Sequence, residues 1–183
     1  MALIHGMTHD GELKPLKIDD WGWSQVSMSY VHHKIHDGES FQVWYWEEDI
    51  ADDGVIEILL RTSSDPAHAI YDVGAGGDAV ASLIENPTVN AAGTALTEYN
   101  LNRTSTATAN TTTFHTPTVA AGTELVAQYL AGGAGPQAGG GQAQSDSEWV
   151  LKPNEDYVVR VTNISGQAQT LGLLVEWYEQ ARH

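Results

Sequence analysis

The chain contains no cysteine. That absence removes thiol redox chemistry, zinc–thiolate sites and disulfide frameworks, the last being the usual support of a small secreted fold. Positive charge is scarce too: eight lysines and arginines face twenty-four aspartates and glutamates, a formal charge of −16. This balance repels phosphate backbones and anionic headgroups, so direct nucleic-acid binding and electrostatic membrane attachment are not expected. No stretch approaches the roughly eighteen apolar residues of a membrane span, and residues 1–17 lack a basic stretch followed by an apolar one. Neither a span nor a secretion signal is expected, and synthesis in a cytoplasm is. Helical periodicity is also thin. No window of about twelve residues sustains a 3.6-residue period, the nearest approaches being 79–85 and 177–182.

Catalytic signatures are missing as well: there is no G-x-S-x-G, no H-E-x-x-H, no P-loop and no EF-hand loop. Residues 74–79 (GAGGDA) fit G-x-G-x-x-A, but Asn86-Pro87 arrives before a dinucleotide fold could place its helix. The densest histidine cluster is His32-His33-Lys34-Ile35-His36, beside Asp37 and Glu39. On a strand His32 and His36 would share a face, yet a third and fourth ligand would have to come from elsewhere, and the glutamate that follows a cupin His-x-His pair is lacking. No metal, no cofactor and no enzymatic activity are therefore expected. Asn102, Asn110 and Asn163 fit N-x-[ST], as chance allows in so threonine-rich a chain.

What the sequence does contain is strand. Segments 25–35, 40–46, 55–62, 68–73, 79–84, 96–101, 111–116, 124–130, 149–151, 157–163 and 170–178 read as extended, with Gly, Asp, Asn and Pro clustered between them. Phe41, Val43 and Tyr45 alternate with Gln42 and Trp44, and Val159 and Val161 with Arg160 and Thr162. The expected fold is all-β: a jelly-roll-like antiparallel β-sandwich over residues 25–183, preceded by an irregular N-terminal arm, residues 1–24. A Gly/Ala/Gln loop at 131–144 interrupts the sandwich.

Two segments ask for a partner. The arm carries Leu3, Ile4, Leu13, Leu16, Ile18, Trp21 and Trp23 with no period to make it helix or strand, so it must lie on a surface of this subunit or another. Residues 104–123 hold no charged side chain, and nine of the twenty are threonine. Threonine at that density favours strand, and the lack of charge favours burial or an interface. The run reads as one hairpin arm with a turn at 117–122, set against a neighbouring subunit through Thr111, Thr112, Thr113 and Phe114.

Several short pieces resemble one known group. They are His36-Asp37-Gly38-Glu39-Ser40-Phe41, Thr62-Ser63-Ser64-Asp65-Pro66-Ala67-His68 and Tyr99-Asn100-Leu101-Asn102-Arg103, followed by Trp149-Val150-Leu151-Lys152-Pro153-Asn154, Tyr157, Thr162-Asn163 and Glu176-Trp177-Tyr178-Glu179. Together they resemble small virion proteins of tailed bacteriophages that decorate or cement the capsid. The resemblance implies a β-sandwich, commonly trimeric, on the outside of an icosahedral head, bound to the major capsid protein. It carries over no functional residue. Leu13, Leu16, Ile18, Trp21 and Trp23 are the expected capsid contacts. The alternative is a carbohydrate-binding β-sandwich of a phage fibre or host-attachment protein, with Trp44, Trp46 and Trp149 as the stacking residues.

Overall fold

The structure is a computed structural model, which describes residues 5–7, 13–15, 30–132, 141–144 and 148–179. The chain forms two compact units, residues 1–33 and 34–183. In the first, β1 (His5–Met7) and β2 (Leu13–Pro15) pair antiparallel, Leu13 opposite Met7, so the arm expected to be irregular holds a short ribbon. Leu16, Ile18, Trp21 and Trp23 lie outside the described residues.

The segment 25–35, read as a strand, is instead helical from Tyr30: α1 spans Tyr30–Asp37. The Asp37-Gly38 pair that suggested a turn is the helix stop. Gly38 takes φ +76°, its N–H bonds Ile35 O at 3.0 Å, and Glu39 N–H bonds Lys34 O at 3.0 Å. Those two bonds are the Schellman closure, which needs the left-handed conformation that glycine adopts without strain.

The second unit is a sandwich of antiparallel sheets. Its strands are β3 (Ser40–Ile50), β4 (Val55–Arg61), β5 (Ala67–Ala75), β6 (Ala79–Glu85), β7 (Thr88–Ala91), β8 (Thr94–Ala95), β9 (Tyr99–Asn100), β10 (Thr112–His115), β11 (Thr118–Ala120), β12 (Thr123–Leu130), β13 (Gly141–Gln144), β14 (Trp149–Leu151), β15 (Asp156–Asn163) and β16 (Gln169–Glu179). One six-stranded sheet runs β12-β6-β15-β4-β10-β8; the other runs β13-β5-β16-β3-β9, with β14 also on β5. Consecutive long strands β3, β4, β5 and β6 alternate between the sheets, as do β14, β15 and β16, which is the jelly-roll manner of winding.

Alternation explains the core. Ile56, Ile58 and Leu60 of β4, Tyr157, Val159 and Val161 of β15, and Ala79, Ala81 and Leu83 of β6 meet Phe41, Val43, Tyr71, Val73, Leu171, Leu173, Val175 and Trp177 of the facing sheet. The residues between them on β4, β6 and β15 build a second, smaller core: Leu59, Ile84 and Val158 are covered by Val89, Ala92, Phe114 and Val119. Val89 and Val119 of that cover belong to a two-stranded sheet, β11-β7, Phe114 to β10 beside β4, and Ala92 follows β7. Hence residues 117–122, read as a turn, contain the strand β11. Residues 141–144 of the expected loop likewise form β13, paired with β5; 133–140 lie outside the described residues. Of segment 96–101, read as one strand, only Tyr99 and Asn100 are extended, as β9 at the edge of the second sheet; residues 96–98 connect it to β8, which precedes the segment and lies in the other sheet.

Buried polar groups fix the ends. Asn163, fully buried, donates from Nδ2 to Ile50 O and Gln167 O and accepts at Oδ1 from Ser165 N–H and Gln169 Nε2. Each of these bonds replaces water that the side chain lost on burial.

Candidate functional site

The outward face of the β13-β5-β16-β3-β9 sheet is where the molecule departs from a plain sandwich. On β3 the inward residues Phe41 and Val43 are buried, while the outward Trp44 and Trp46 are each 51% exposed. Register sets what stands beside them. Trp46 faces Gly172 on β16, Gly172 faces Gly74 on β5, and Gly74 faces Gln142 on β13. One row further, Trp44 faces Leu174, and Leu174 faces Asp72. The next row is Gln42, Glu176 and Ile70.

Two adjacent glycines leave a gap in the sheet's outer layer. The result is a trough of about 430 Å³ lined by Trp44, Trp46, Asp72, Gly74, Gly172 and Leu174 among others, within the ~300–1,000 Å³ usual for ligand sites. Neither glycine is demanded by the backbone: neither has a positive φ, a Cβ on Gly74 would meet nothing within 4 Å, and one on Gly172 would meet its nearest neighbour, Trp46 Cβ, at 3.7 Å. Glycine inside a strand weakens it, and one reason for its presence is the close approach of something else.

The acidic groups of this face are short of partners. Asp72 Oδ1 is buried with no hydrogen-bond partner, and burial raises the carboxyl's pKa. Glu176, diagonal to Asp72 across the β16–β5 ladder, has its pKa raised by burial first and then by the charge of Asp72. The cations whose side chains are described are engaged elsewhere. Lys34 pairs with Glu39, Arg61 with Asp156, Lys152 with Glu85 and Arg160 with Glu57, and Arg103 lies 5.7 Å from the Tyr99 ring centre. The trough is therefore aromatic on one side and bears the Asp72 carboxylate on the other, with Glu176 one row beyond its edge.

The residues singled out in the sequence fall in different places. Trp44 and Trp46 come together as expected, but Trp149 pairs opposite the buried Ala69 and packs on the core, away from them. Thr111 and Thr113 point into their own domain, 0% and 1% exposed, while Thr112 is exposed and Phe114 is half-buried in the smaller core. Only Thr112 and Phe114 of that set point outward from the sheet. The charge-free run is held by carboxylates from outside it. Glu179 accepts the N–H of Asn110 at 3.0 Å and of Thr111 at 2.7 Å, and Glu98 accepts the N–H and hydroxyl of Thr113, each at 2.8 Å. His32 and His36 sit one turn apart on α1 rather than on a strand, and no group of three metal-ligating side chains occurs among the described residues.

Asp72, Glu176 and Gly172 had no motif to mark them. The available signal was positional: Gly172, Leu174 and Glu176, like Ile70, Asp72 and Gly74, occupy the outward positions of alternating strands. Only register makes them neighbours. No protein-family model matches the chain, and no curated protein matches it in sequence.

Proposed function

We propose that the chain is a non-enzymatic structural protein of a phage virion, which decorates and stabilises the capsid exterior by binding the major capsid protein. The observation that supports it is the outward sheet face, where Trp44, Trp46 and Leu174 stand over a glycine floor. Half-exposed tryptophans grouped with apolar neighbours are the composition of an interface centre. Cementing requires only that the protein bind the assembled shell and not its separated parts, which stabilises the shell by mass action. Thr112 and Phe114 are the subunit contacts in the trimeric form of this reading, with Leu13, Leu16, Ile18, Trp21 and Trp23 of the arm as capsid contacts.

Sedimentation with purified heads tests it: the full chain co-sediments, and deleting residues 1–23 weakens binding at least tenfold. Undiminished binding after the deletion removes the arm from the reading, and failure of the full chain to bind removes the function. A second reading, a carbohydrate-binding module, is favoured by the exposed pair Trp44 and Trp46. A glycan array carries that test, with background-level signal as the adverse result.

A further inference from the structure

We infer that the trough on the outward face of the second sheet recognises an arginine-bearing segment of a partner protein, its guanidinium lying on Trp44 and Trp46 and bonded by Asp72 and Glu176. The inference rests on the decoration reading for its partner, but not for its chemistry.

Four independent features converge on that ligand. Trp44 and Trp46 present half their surface on one strand face, and a tryptophan face attracts a cation through its ring quadrupole. Gly172 and Gly74 open the space beside them without any backbone need, so a flat group can reach the sheet itself. Asp72 Oδ1 is buried and unbonded, an acceptor that lacks its donor. The fourth feature is charge. Two carboxylates on diagonal positions share this face, and no described lysine or arginine side chain neutralises them.

Like charges placed side by side cost stability unless a cation joins them. Elsewhere the chain does supply the cation: buried Glu57, on the first sheet, is matched by Arg160 at 2.6 Å. At the trough no described lysine or arginine side chain plays that part, which leaves the place open to a partner's cation. Arginine fits better than lysine. Its guanidinium is planar, stacks on indole and offers five N–H donors in a fork, whereas an ammonium is a compact, strongly hydrated point charge. A neutral glycan would use the tryptophans and could donate hydroxyls to Asp72, but it would leave the two negative charges unopposed.

The test titrates the full chain with a capped hexapeptide of alternating arginine and glycine, following the indole N–H resonances of Trp44 and Trp46. Both shift, and the lysine version of the peptide binds severalfold more weakly. Asp72→Asn/Glu176→Gln weakens peptide binding at least tenfold while its thermal midpoint stays at or above that of the parent, since burial disfavours the charged forms that the substitution removes. A control of equal charge change on exposed positions of other elements, Asp53→Asn/Glu124→Gln, binds as the parent does. Gly74→Val, which fills the trough, also loses the peptide and keeps the fold. The inference is overturned if both double variants lose binding equally, which would mark general attraction to an acidic protein, or if neither does. It is also overturned if a neutral oligosaccharide such as cellohexaose shifts the two indoles and the peptide does not. Peptide binding at the trough without attachment to heads would overturn the decoration reading alone. Attachment undisturbed by Asp72→Asn/Glu176→Gln, with peptide binding also undisturbed, would overturn only the trough's role.

Discussion

Thr111 and Thr113 have nearly the same burial and opposite circumstances. The Thr113 hydroxyl donates to Glu98 at 2.8 Å, whereas Thr111 Oγ1 is buried with no partner. A hydroxyl that lost its water and gained nothing costs stability, so replacing it by a methyl of the same shape removes the cost. Thr111→Val is expected to be neutral or stabilising by about 1 kcal/mol, and Thr113→Val to destabilise by about 1–2 kcal/mol, as read from urea denaturation midpoints. The contrast bears on what the sequence could say. That Thr112 and Thr113 face opposite ways follows from the two-residue period of any strand and was legible. Which of them faces inward was not, because a run without charge carries no mark of its wet side. The deciding groups, Glu98 and Glu179, lie outside the run, and Glu179 is 68 residues from Thr111.

Among elements, the turn from β14 to β15 is organised by one phenol. Tyr157 Oη accepts the N–H of Lys152 at 2.9 Å and donates to Glu85 at 3.0 Å, while Lys152 Nζ bonds the other oxygen of Glu85 at 2.8 Å. Burial, with the neighbouring Glu85 adding to it, pushes the phenol's pKa up to about 12. The unfolded chain releases this proton near pH 10 and the folded chain holds it, so above pH 10 the unfolded state binds fewer protons and stability falls as pH rises. The slope from this group is at most about 1.4 kcal/mol per pH unit, and Tyr157→Phe flattens it; denaturation at pH 9 to 11.5 measures both. An unchanged slope in the variant would mean that other groups govern alkaline unfolding. Burial also raises the pKa of Tyr45 and Tyr71, which adds to the same trend.

The long strands β3, β5 and β16 were readable because their outer residues are more exposed than their inner ones, so they show their alternation openly, and β15 shows it over residues 159–162. Elements without that contrast were not. Residues 30–37 hold Val31 and Ile35 one helical turn apart, but eight residues are too few for a period to stand out, and the deciding signal was Gly38 as a helix stop. The strand β11 is three residues long and depends on β7 for its hydrogen bonds. At the trough, the two tryptophans were visible as aromatics; the glycines and carboxylates acquire meaning only when β16 is laid between β3 and β5.

For the molecule as a whole, the charge of −16 and the order of the sheets act together. Most of the acids stay in water, and the two acidic residues buried among those described have dedicated partners, unlike the Asp72 oxygen at the trough: Glu57 has Arg160, and Glu179 has the N–H groups of Asn110 and Thr111 and the indole of Trp177. The sheets gather strands from distant parts of the chain. β3 and β5 do not touch as neighbours; both are zipped to β16, which comes much later in the sequence. A topology dominated by such non-local pairing closes slowly, since the loops must be ordered before the contacts that reward them exist. Chains truncated after residue 165 are therefore expected to be digested rapidly by protease, whereas the 183-residue chain resists it; equal resistance would show that β3 and β5 are stable without β16.

That arrangement also sets a clock on recognition. Gly172, Leu174 and Glu176 all ride on β16, so during translation the trough has no middle until the ribosome has passed that strand. A half-made chain displays Trp44 and Trp46 but not the surface between Trp46 and Gly74. Under the proposed recognition, competence to bind is tied to completion of the fold, and unfinished copies lack the site without any separate checkpoint.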